Sequence, residues 1–524
     1  MGKLWRKGMA AFIAATIVSG ALAGCGGSGN SGQKDTADNS QTSAGQESAA
    51  ENAAGDSVID FDAEPYEVVM EVLNLGQDYP DLEEIEDAIN EIALKEINCT
   101  LKIQPIHIAD HATKLSLAAA GGDKYDLVYT GTTTSLSSLV NDGVLLPLDE
   151  LAAERAPEYL EKAGDLIEAG KVNGQLYTLP AELYPAATTA LIYNADLAAE
   201  FGIEMPETIS SWADLEPIAQ TLKDNGIYLM TAGDGSVGDI LGTFDRISNF
   251  GGDYNYGVLM GDDTTEIINY YESQEFADFC KTMKDWRDKG YIPSDSLTSG
   301  ENAQDVFSIG KSFLQQIKYT PGDAVTNQNK YSFASEYILT QDPSITTEWA
   351  IQYAWGICIT SEQPERAMDM LNLIYTNGDV ANLLMRGLEG KEYEKVSDHI
   401  IKMPDGVDSS NIGYSINFLR AGDTMQIYQW EPETEEFYDK LQEFNESAAK
   451  SSIFGYAFDA SSVSTQLASV TNVVAEYRPS LLTGSVEDVD AAIGEFNEKL
   501  EGAGIQDIID ANQSQLDEWL AANQ

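Results

Sequence analysis

Between Tyr66 and Tyr129 the apolar residues change period repeatedly, and this alternation limits the fold more than any other feature of the chain. Tyr66 to Leu73 (Tyr-Glu-Val-Val-Met-Glu-Val-Leu) alternates at period two, which predicts a strand. Leu82, Ile85, Ala88, Ile89 and Ile92 then recur at helical spacing, which predicts an amphipathic helix over 81–97. Thr100 to Ile106 reads as a second strand. His111 to Ala120 reads as a second helix, stopped by Gly121-Gly122. Tyr125 to Tyr129 is a third strand. Strands separated by helices pair in parallel, with the crossover helices covering the sheet. In such sheets ligands gather outside the carboxyl ends of the strands. Here those ends are the loops Asn74–Pro80 and Thr130–Thr134.

Later segments are less regular. Asn173 to Pro180 predicts a hairpin, Ala190 to Asn194 a strand, Trp349 to Thr360 a strongly apolar strand and Pro364 to Thr376 a helix. From about Ser451 the pattern is mostly helical. A chain of 524 residues exceeds what one core supports, so two or more lobes are expected. Its 30 Lys+Arg stand against 86 Asp+Glu. The acid is spread through helical segments such as 81–96 and 487–501, as on a solvated surface. A polyanion of this kind repels nucleic acid and anionic lipid. Besides Cys25, the cysteines are Cys99, Cys280 and Cys358. Their number and wide spacing give no disulfide framework and no zinc pattern. Cys99 and Cys358 sit in apolar surroundings and are expected to be buried thiols.

Lys3, Arg6 and Lys7 precede an apolar stretch from Gly8 to Gly20, shorter than the ~20 residues needed to span a bilayer. A basic start, a short apolar middle and small residues read as a secretory signal. Leu22-Ala23-Gly24-Cys25 resembles the lipobox of bacterial lipoproteins. The resemblance implies a signal peptide over 1–24, cleavage before Cys25 and a diacylglycerol on its sulfur. Each buried methylene of the acyl chains contributes about 0.8 kcal/mol, which holds the protein on the outer face of the cell membrane. Residues 25–60 are dominated by Gly, Ser, Ala, Asn, Gln and acids and are expected to be a disordered tether.

Several ordered segments carry a wider resemblance. They are Tyr125-Asp-Leu-Val-Tyr129 with Leu139-Val-Asn-Asp-Gly-Val-Leu-Leu-Pro-Leu-Asp-Glu150, then Gly174-Gln-Leu-Tyr-Thr-Leu-Pro180 with Leu191-Ile-Tyr-Asn-Ala-Asp-Leu197. Trp212-Ala-Asp-Leu-Glu216, Trp355-Gly-Ile-Cys-Ile359 and the start of the Pro364 helix follow. This order resembles the extracellular solute-binding proteins of ABC importers, the broad family that includes maltose-binding protein. Phe454-Gly-Tyr-Ala-Phe-Asp459 through Gln515-Leu-Asp-Glu-Trp519 looks like the C-terminal domain of a lipoprotein subgroup of Firmicutes whose relatives are assigned to sugar uptake. The resemblance implies an α/β, two-lobe, periplasmic-binding-protein-like fold of type II, with a hinge of several crossing segments and a helical C-terminal region. It implies lobe I from 61–187 plus 312–350, lobe II from 188–311 plus 351–450, and 451–524 packed on the lobes. Its partners are then a carbohydrate captured by lobe closure and the transmembrane subunits of an ABC permease. A monomer is expected, touching the membrane through its N-terminal lipid only.

No catalytic constellation stands beside this. There is no His-Glu-x-x-His and no Gly-x-Ser-x-Gly. His107 and His111 are four apart but lack a third ligand, and a surface or capping role is expected of them. Gly310-Lys311-Ser312 ends like a phosphate loop, but Asp305 stands where its first Gly belongs. Gly233-Asp-Gly235-Ser-Val-Gly238 spells a dinucleotide motif outside any opening βαβ unit, and a mobile cleft loop is the better reading. No cofactor and no metal are expected, and the protein is read as a receptor rather than an enzyme. A secreted glycan-active enzyme and a surface adhesin are the alternatives. A sugar site needs aromatic rings against C–H faces and polar groups for hydroxyls. Position-matched candidates are Gln77, Asp78 and Tyr79 in the first loop, Thr130 and Thr132 in the second, Tyr184 at the first lobe crossing, Asp245, and Tyr319 and Trp355 near later crossings. The first loop lacks the Lys that maltose-binding protein carries there, so contacts cannot be copied across.

The anchor is testable. Cys25→Ser should move the protein from the membrane pellet to the soluble fraction of expressing cells. Retention of the Ser variant in the pellet after a salt wash would refute the assignment.

Overall fold

The computed structural model describes residues 59–231, 244–246, 256–259, 264–301, 303–322, 331–416 and 419–523. Cys25, the expected signal and nearly all of the expected tether, and the Gly233–Gly238 motif lie outside the described residues. Strand β1 spans Tyr66–Asn74, helix α1 Leu82–Glu96, β2 Cys99–His107, α2 Ile108–Ala119 and β3 Leu127–Thr130. β1 lies between β2 and β3 and is parallel to both, with Tyr66 opposite Cys99 and Met70 opposite Leu127. The strand Ala354–Ile357 runs antiparallel along β3, and Leu179–Pro180 lies beyond it. Val68, Met70 and Val72 of β1 pack with Ile85 and Ile89 of α1 and with Met368, Leu371 and Ile374 of the helix Pro364–Thr376. Each such buried side chain stabilises by about 1.5–3 kcal/mol. The expected hairpin is present: Lys171–Val172 pairs with Gln175–Leu176. Asn173 and Gly174 supply the two positive φ values, 53° and 78°, that a two-residue turn between twisted strands requires.

A second core is built around the strand Thr188–Asn194, flanked antiparallel by Leu314–Tyr319 and Ser335–Leu339. Leu191, Trp212, Phe276, Trp286 and Phe313 belong to it, together with Val474, Phe496, Leu500 and Leu516 from the C-terminal helices Ser464–Leu482, Val489–Ala503 and Ile505–Asn523. We call the first core lobe I and the second lobe II.

This pairing corrects the expected partition. The strands Leu314–Tyr319 and Ser335–Leu339 of the expected 312–350 segment join lobe II, and the strand and helix of 351–376 join lobe I. Residues 451–523 pack on lobe II and contribute to its core. Apolar period identifies a strand but not its partner, and these partners are far away in sequence. The expected strand Trp349–Thr360 is also shorter. A helix, Thr347–Ile351, opens it, because the Thr346 hydroxyl caps the Trp349 N–H at 3.2 Å.

Among the described residues, three chain segments cross between the lobes side by side. The Ala187 N–H donates to Ser344 O (3.1 Å) and the Ser344 N–H to Ala187 O (2.9 Å). On the other side, the Ala449 N–H donates to Pro343 O and the Ser451 N–H to Ile345 O, both at 3.0 Å. The first crossing lies close to Tyr184, as expected. The other two do not lie at Tyr319 or Trp355: Tyr319 ends a lobe II strand, and Trp355 is inside the lobe I sheet.

Trp355 is fully buried, packs edge-on to Tyr129 at 4.9 Å and donates its indole N–H to Arg420 O at 2.9 Å. Asp245, on the strand Phe244–Arg246, is 2% exposed. Burial pushes its carboxyl up to about 7 despite a hydrogen bond with Ser451 of the third crossing, and the charge of Glu348 adds to the rise.

Two outcomes follow from this packing. Trp355→Ala should cost ~3–5 kcal/mol in urea unfolding, as a truncated core aromatic does, and a loss below 1 kcal/mol would contradict the core placement. The folded Asp245 carboxyl titrates above its unfolded range near 4, so the native state keeps a proton that the unfolded chain has released. Its contribution is therefore largest at low pH and is lost as pH rises from about 4 to about 7. Relative to Asp245→Asn, the wild type should lose on the order of 2 kcal/mol between pH 5 and pH 8. A pH-independent difference between the two would refute the buried acid.

Candidate functional site

The carboxyl end of β3 leads into the loop 131–135. The Thr130 hydroxyl is buried and bonded to that of Thr178 at 2.7 Å. Gly131 has φ 92°, and a Cβ there would lie 1.9 Å from Ile351 O, so only Gly lets the loop close onto that segment. Thr132 Oγ1 then donates to Gln352 O at 2.8 Å. The Gln352 side chain reaches the other lobe: its Oε1 accepts from Lys318 Nζ at 2.7 Å, and Lys318 stands 5.4 Å from the Trp349 ring centroid.

Tyr353 follows, half-buried, 5.8 Å from the Tyr129 ring. The Arg420 guanidinium lies over the Tyr353 ring at 5.0 Å and donates to Glu182 Oε1 at 3.0 Å. Burial works against the Arg420 charge, but Glu182, Tyr353 and Tyr129 outweigh it and raise its pKa. The Glu182 and Arg420 side chains keep 28% and 38% of their area exposed. An aromatic ring, a carboxylate and a guanidinium thus collect on lobe I, next in the chain to the amide that pairs with the lobe II ammonium. This set suits a neutral, polyhydroxylated ligand: the ring covers C–H faces, and the polar groups pair hydroxyls in both donor and acceptor senses.

The structure distributes the sequence candidates unevenly. Thr132 lies in this cluster. Tyr319, next to Lys318 at the end of the same strand, contacts Phe444 at 6.0 Å and Tyr337 at 5.4 Å. Tyr184 is half-buried against lobe I, its phenol pKa raised by burial and then by Asp423 and Glu446. In the first loop Asp78 is exposed, but the Gln77 side chain is occupied inside its own loop, accepting from the Leu75 N–H at 3.1 Å. Tyr79 packs edge-on against Tyr414 at 5.9 Å. Thr130 and Asp245 are buried and present no surface to a ligand. The same holds for Trp355, and the close approach expected at Gly356 is core packing: a Cβ there would meet Leu145 Cδ2 at 2.7 Å.

Sequence reasoning missed Tyr353, Glu182, Arg420, Lys318 and Gln352. Tyr353 was findable, because residues two apart share a strand face, and Tyr353 stands just ahead of the strand on the side of Trp355. Nothing in the sequence around Arg420 marks it. A cavity of about 780 Å³ runs along the strand Ser335–Leu339, lined by Tyr193, Met205, Pro206, Ile209, Tyr337 and Leu339 among others. None of the sequence candidates lines it. His107 caps α2 by accepting the Ala109 N–H at 3.2 Å. Cys99, Cys280 and Cys358 are free and buried. Among the described residues no helix is long and apolar enough to cross a membrane.

Comparison with known proteins places this architecture. Residues 79–381 match the model of the bacterial extracellular solute-binding protein family, and residues 452–521 match a domain of unknown function, DUF3502. A carbohydrate ABC transporter substrate-binding protein of Streptococcus pneumoniae serotype 4 is 25% identical over 464 residues, covering 86% of this chain and 91% of that one. The crystal structure of the N-glycan transport solute-binding protein NgtS of S. pneumoniae superposes with a TM-score of 0.78 at 23% identity, covering 88% of this chain and all of that one. Its complex with Man5GlcNAc superposes at 0.68 with 23% identity, covering 88% and 99%. An extracellular solute-binding protein of Bifidobacterium longum subsp. infantis superposes at 0.60 with 14% identity, covering 86% and 98%. With more than half of its length matched by the family model, two α/β cores and three crossing segments between them, the chain belongs to the bacterial extracellular solute-binding proteins.

Proposed function

We propose that this protein is a lipid-anchored extracellular receptor that captures an oligosaccharide by lobe closure and delivers it to the transmembrane subunits of an ABC permease. The observation that carries the reading is the aromatic and polar set of Tyr353, Arg420 and Glu182 on lobe I, next to Gln352, whose side chain meets Lys318 of lobe II. Hinged lobes convert ligand contact into a change of shape that a membrane partner reads. Ligand moves that equilibrium only by its differential affinity for the closed form. The names of the pneumococcal relatives support carbohydrate as the solute class. Cys25 supplies the anchor, the protein acts as a monomer, and it performs no chemistry on what it binds.

A thermal-shift screen over Man5GlcNAc, Man1GlcNAc and a sugar library should give one hit class. Ligand at a hundred times its dissociation constant should add about 2.7 kcal/mol to stability and shrink the radius of gyration in small-angle scattering. Tyr353→Ala should weaken that ligand by about 1–3 kcal/mol with apo stability within 1 kcal/mol of wild type. Release of shorter glycan by pure protein would overturn the receptor reading in favour of an enzyme. An unchanged scattering profile at saturation would overturn closure.

A further inference from the structure

His111 is 1% exposed and Glu71 is fully buried, and neither is part of the cluster around Tyr353. They lie side by side beneath the carboxyl ends of β1 and β3. Glu71 Oε2 lies 3.1 Å from His111 Nε2 and accepts the Tyr129 N–H at 3.0 Å. A carboxylate only accepts, so Nε2 is the ring atom that carries the hydrogen toward it. The other ring nitrogen, Nδ1, is hydrogen-bonded to the Thr133 hydroxyl. Both ring nitrogens are therefore in use, and the ring is fixed between β1 and the loop that follows β3.

The loop is held at two adjacent residues. Thr132 ties it outward to Gln352, whose side chain meets Lys318 of lobe II. Thr133 ties it inward to His111. Gly131, with its positive φ, gives the backbone between β3 and these anchors conformational freedom that other residues lack. The inward tie removes that freedom and sets where Thr132 and Gln352 stand relative to the sheet. A buried histidine oriented by a carboxylate and facing a loop hydroxyl is the arrangement by which a supporting layer holds a binding layer in place. We propose that His111, oriented by Glu71, is a positioning residue that fixes the Thr130–Thr134 loop in its glycan-binding shape through the Thr133 hydroxyl. This rests on the receptor reading of the same site.

The test compares Thr133→Val, Thr133→Ser, His111→Gln and the double variant Thr133→Val with His111→Gln, all in the full chain. The first readout is amide hydrogen exchange over residues 131–134 without ligand, and the second is calorimetric affinity for Man5GlcNAc. Thr133→Val should speed exchange at these amides by about tenfold and weaken Man5GlcNAc by about tenfold, as loss of one ordering hydrogen bond does. Thr133→Ser keeps the hydroxyl and should match wild type in both. The double variant should be no worse than the more affected single variant, because Thr133→Val and His111→Gln cut the same Thr133–His111 tie and only His111→Gln also loses Glu71. Unchanged loop exchange in Thr133→Val, or additive effects in the double variant, would overturn the positioning role. If wild type binds neither Man5GlcNAc nor any other glycan, the receptor reading fails, while the exchange measurements still decide whether His111 holds the loop.

Discussion

Ser344 sits at the centre of the molecule's connectivity. Its backbone pairs with Ala187 on one side, and its neighbours Pro343 and Ile345 pair with Ala449 and Ser451 on the other. Both lobes are assembled from pieces that these crossings separate. Lobe I needs β1–β3 from before the first crossing and Ala354–Ile357 from after the second. Lobe II needs Thr188–Asn194, Leu314–Tyr319 and Ser335–Leu339 from between the first two crossings, and its helices from beyond the third. Each crossing is only a few residues wide, so a small change in backbone angles there reorients whole lobes without disturbing either core. The Thr188 hydroxyl reinforces the register by donating to Gln341 O at 2.7 Å. The buried Asp245 links the third crossing to a lobe II strand through Ser451.

What the sequence made legible was local. β1, α1, β2, α2 and β3 fall within three residues of the segments that apolar period marks out. The Asn173-Gly174 turn and the helix opened by Pro364 are equally plain, because turn chemistry and helix starts act over a few residues. Pairing is different. Leu314–Tyr319 is apolar enough for either lobe, and only its register opposite Thr188–Asn194 assigns it. The two later crossings were misplaced for the same reason: short, partly polar hinge strands such as Ser344–Ile345 and Ala449–Lys450 carry no period at all.

The site shows the same division. The loops at the ends of β1 and β3 lie where the strand pattern puts them, but the Gln77 side chain and the Thr130 hydroxyl are bonded within the fold, and Trp355 is in the core. Tyr353 and Trp355 show why. Side chains two apart on a strand share a face, but the one at the strand's end meets solvent while the other meets Tyr129 and the layer beneath. Composition cannot tell these apart, and the difference depends on where the strand begins. Arg420 is assigned by neither period nor motif. It reaches Tyr353 and Glu182 from a segment far along the chain, and its backbone carbonyl holds the Trp355 indole. One residue thereby joins the core aromatic to the half-buried one.

The helical C-terminal region is explained by the deficiency of the lobe it joins. Lobe II has only small sheets among its described residues, and the helix Gln274–Lys289 turns Phe276, Phe279, Met283 and Trp286 inward. The C-terminal helices pack against that face. Phe496 from the helix Val489–Ala503 lies 4.8 Å from the Tyr271 ring and 6.4 Å from that of Phe276, and stacks on Tyr477 at 5.6 Å. Tyr456, just past the third crossing, donates to the buried Asn512 Oδ1 at 2.8 Å and fixes the last helix on the same core. The family match for this region begins at residue 452, directly after the last hinge strand. The chain therefore uses its third crossing to return to lobe II, and the segment that the sequence places on the lobes completes the core of this one.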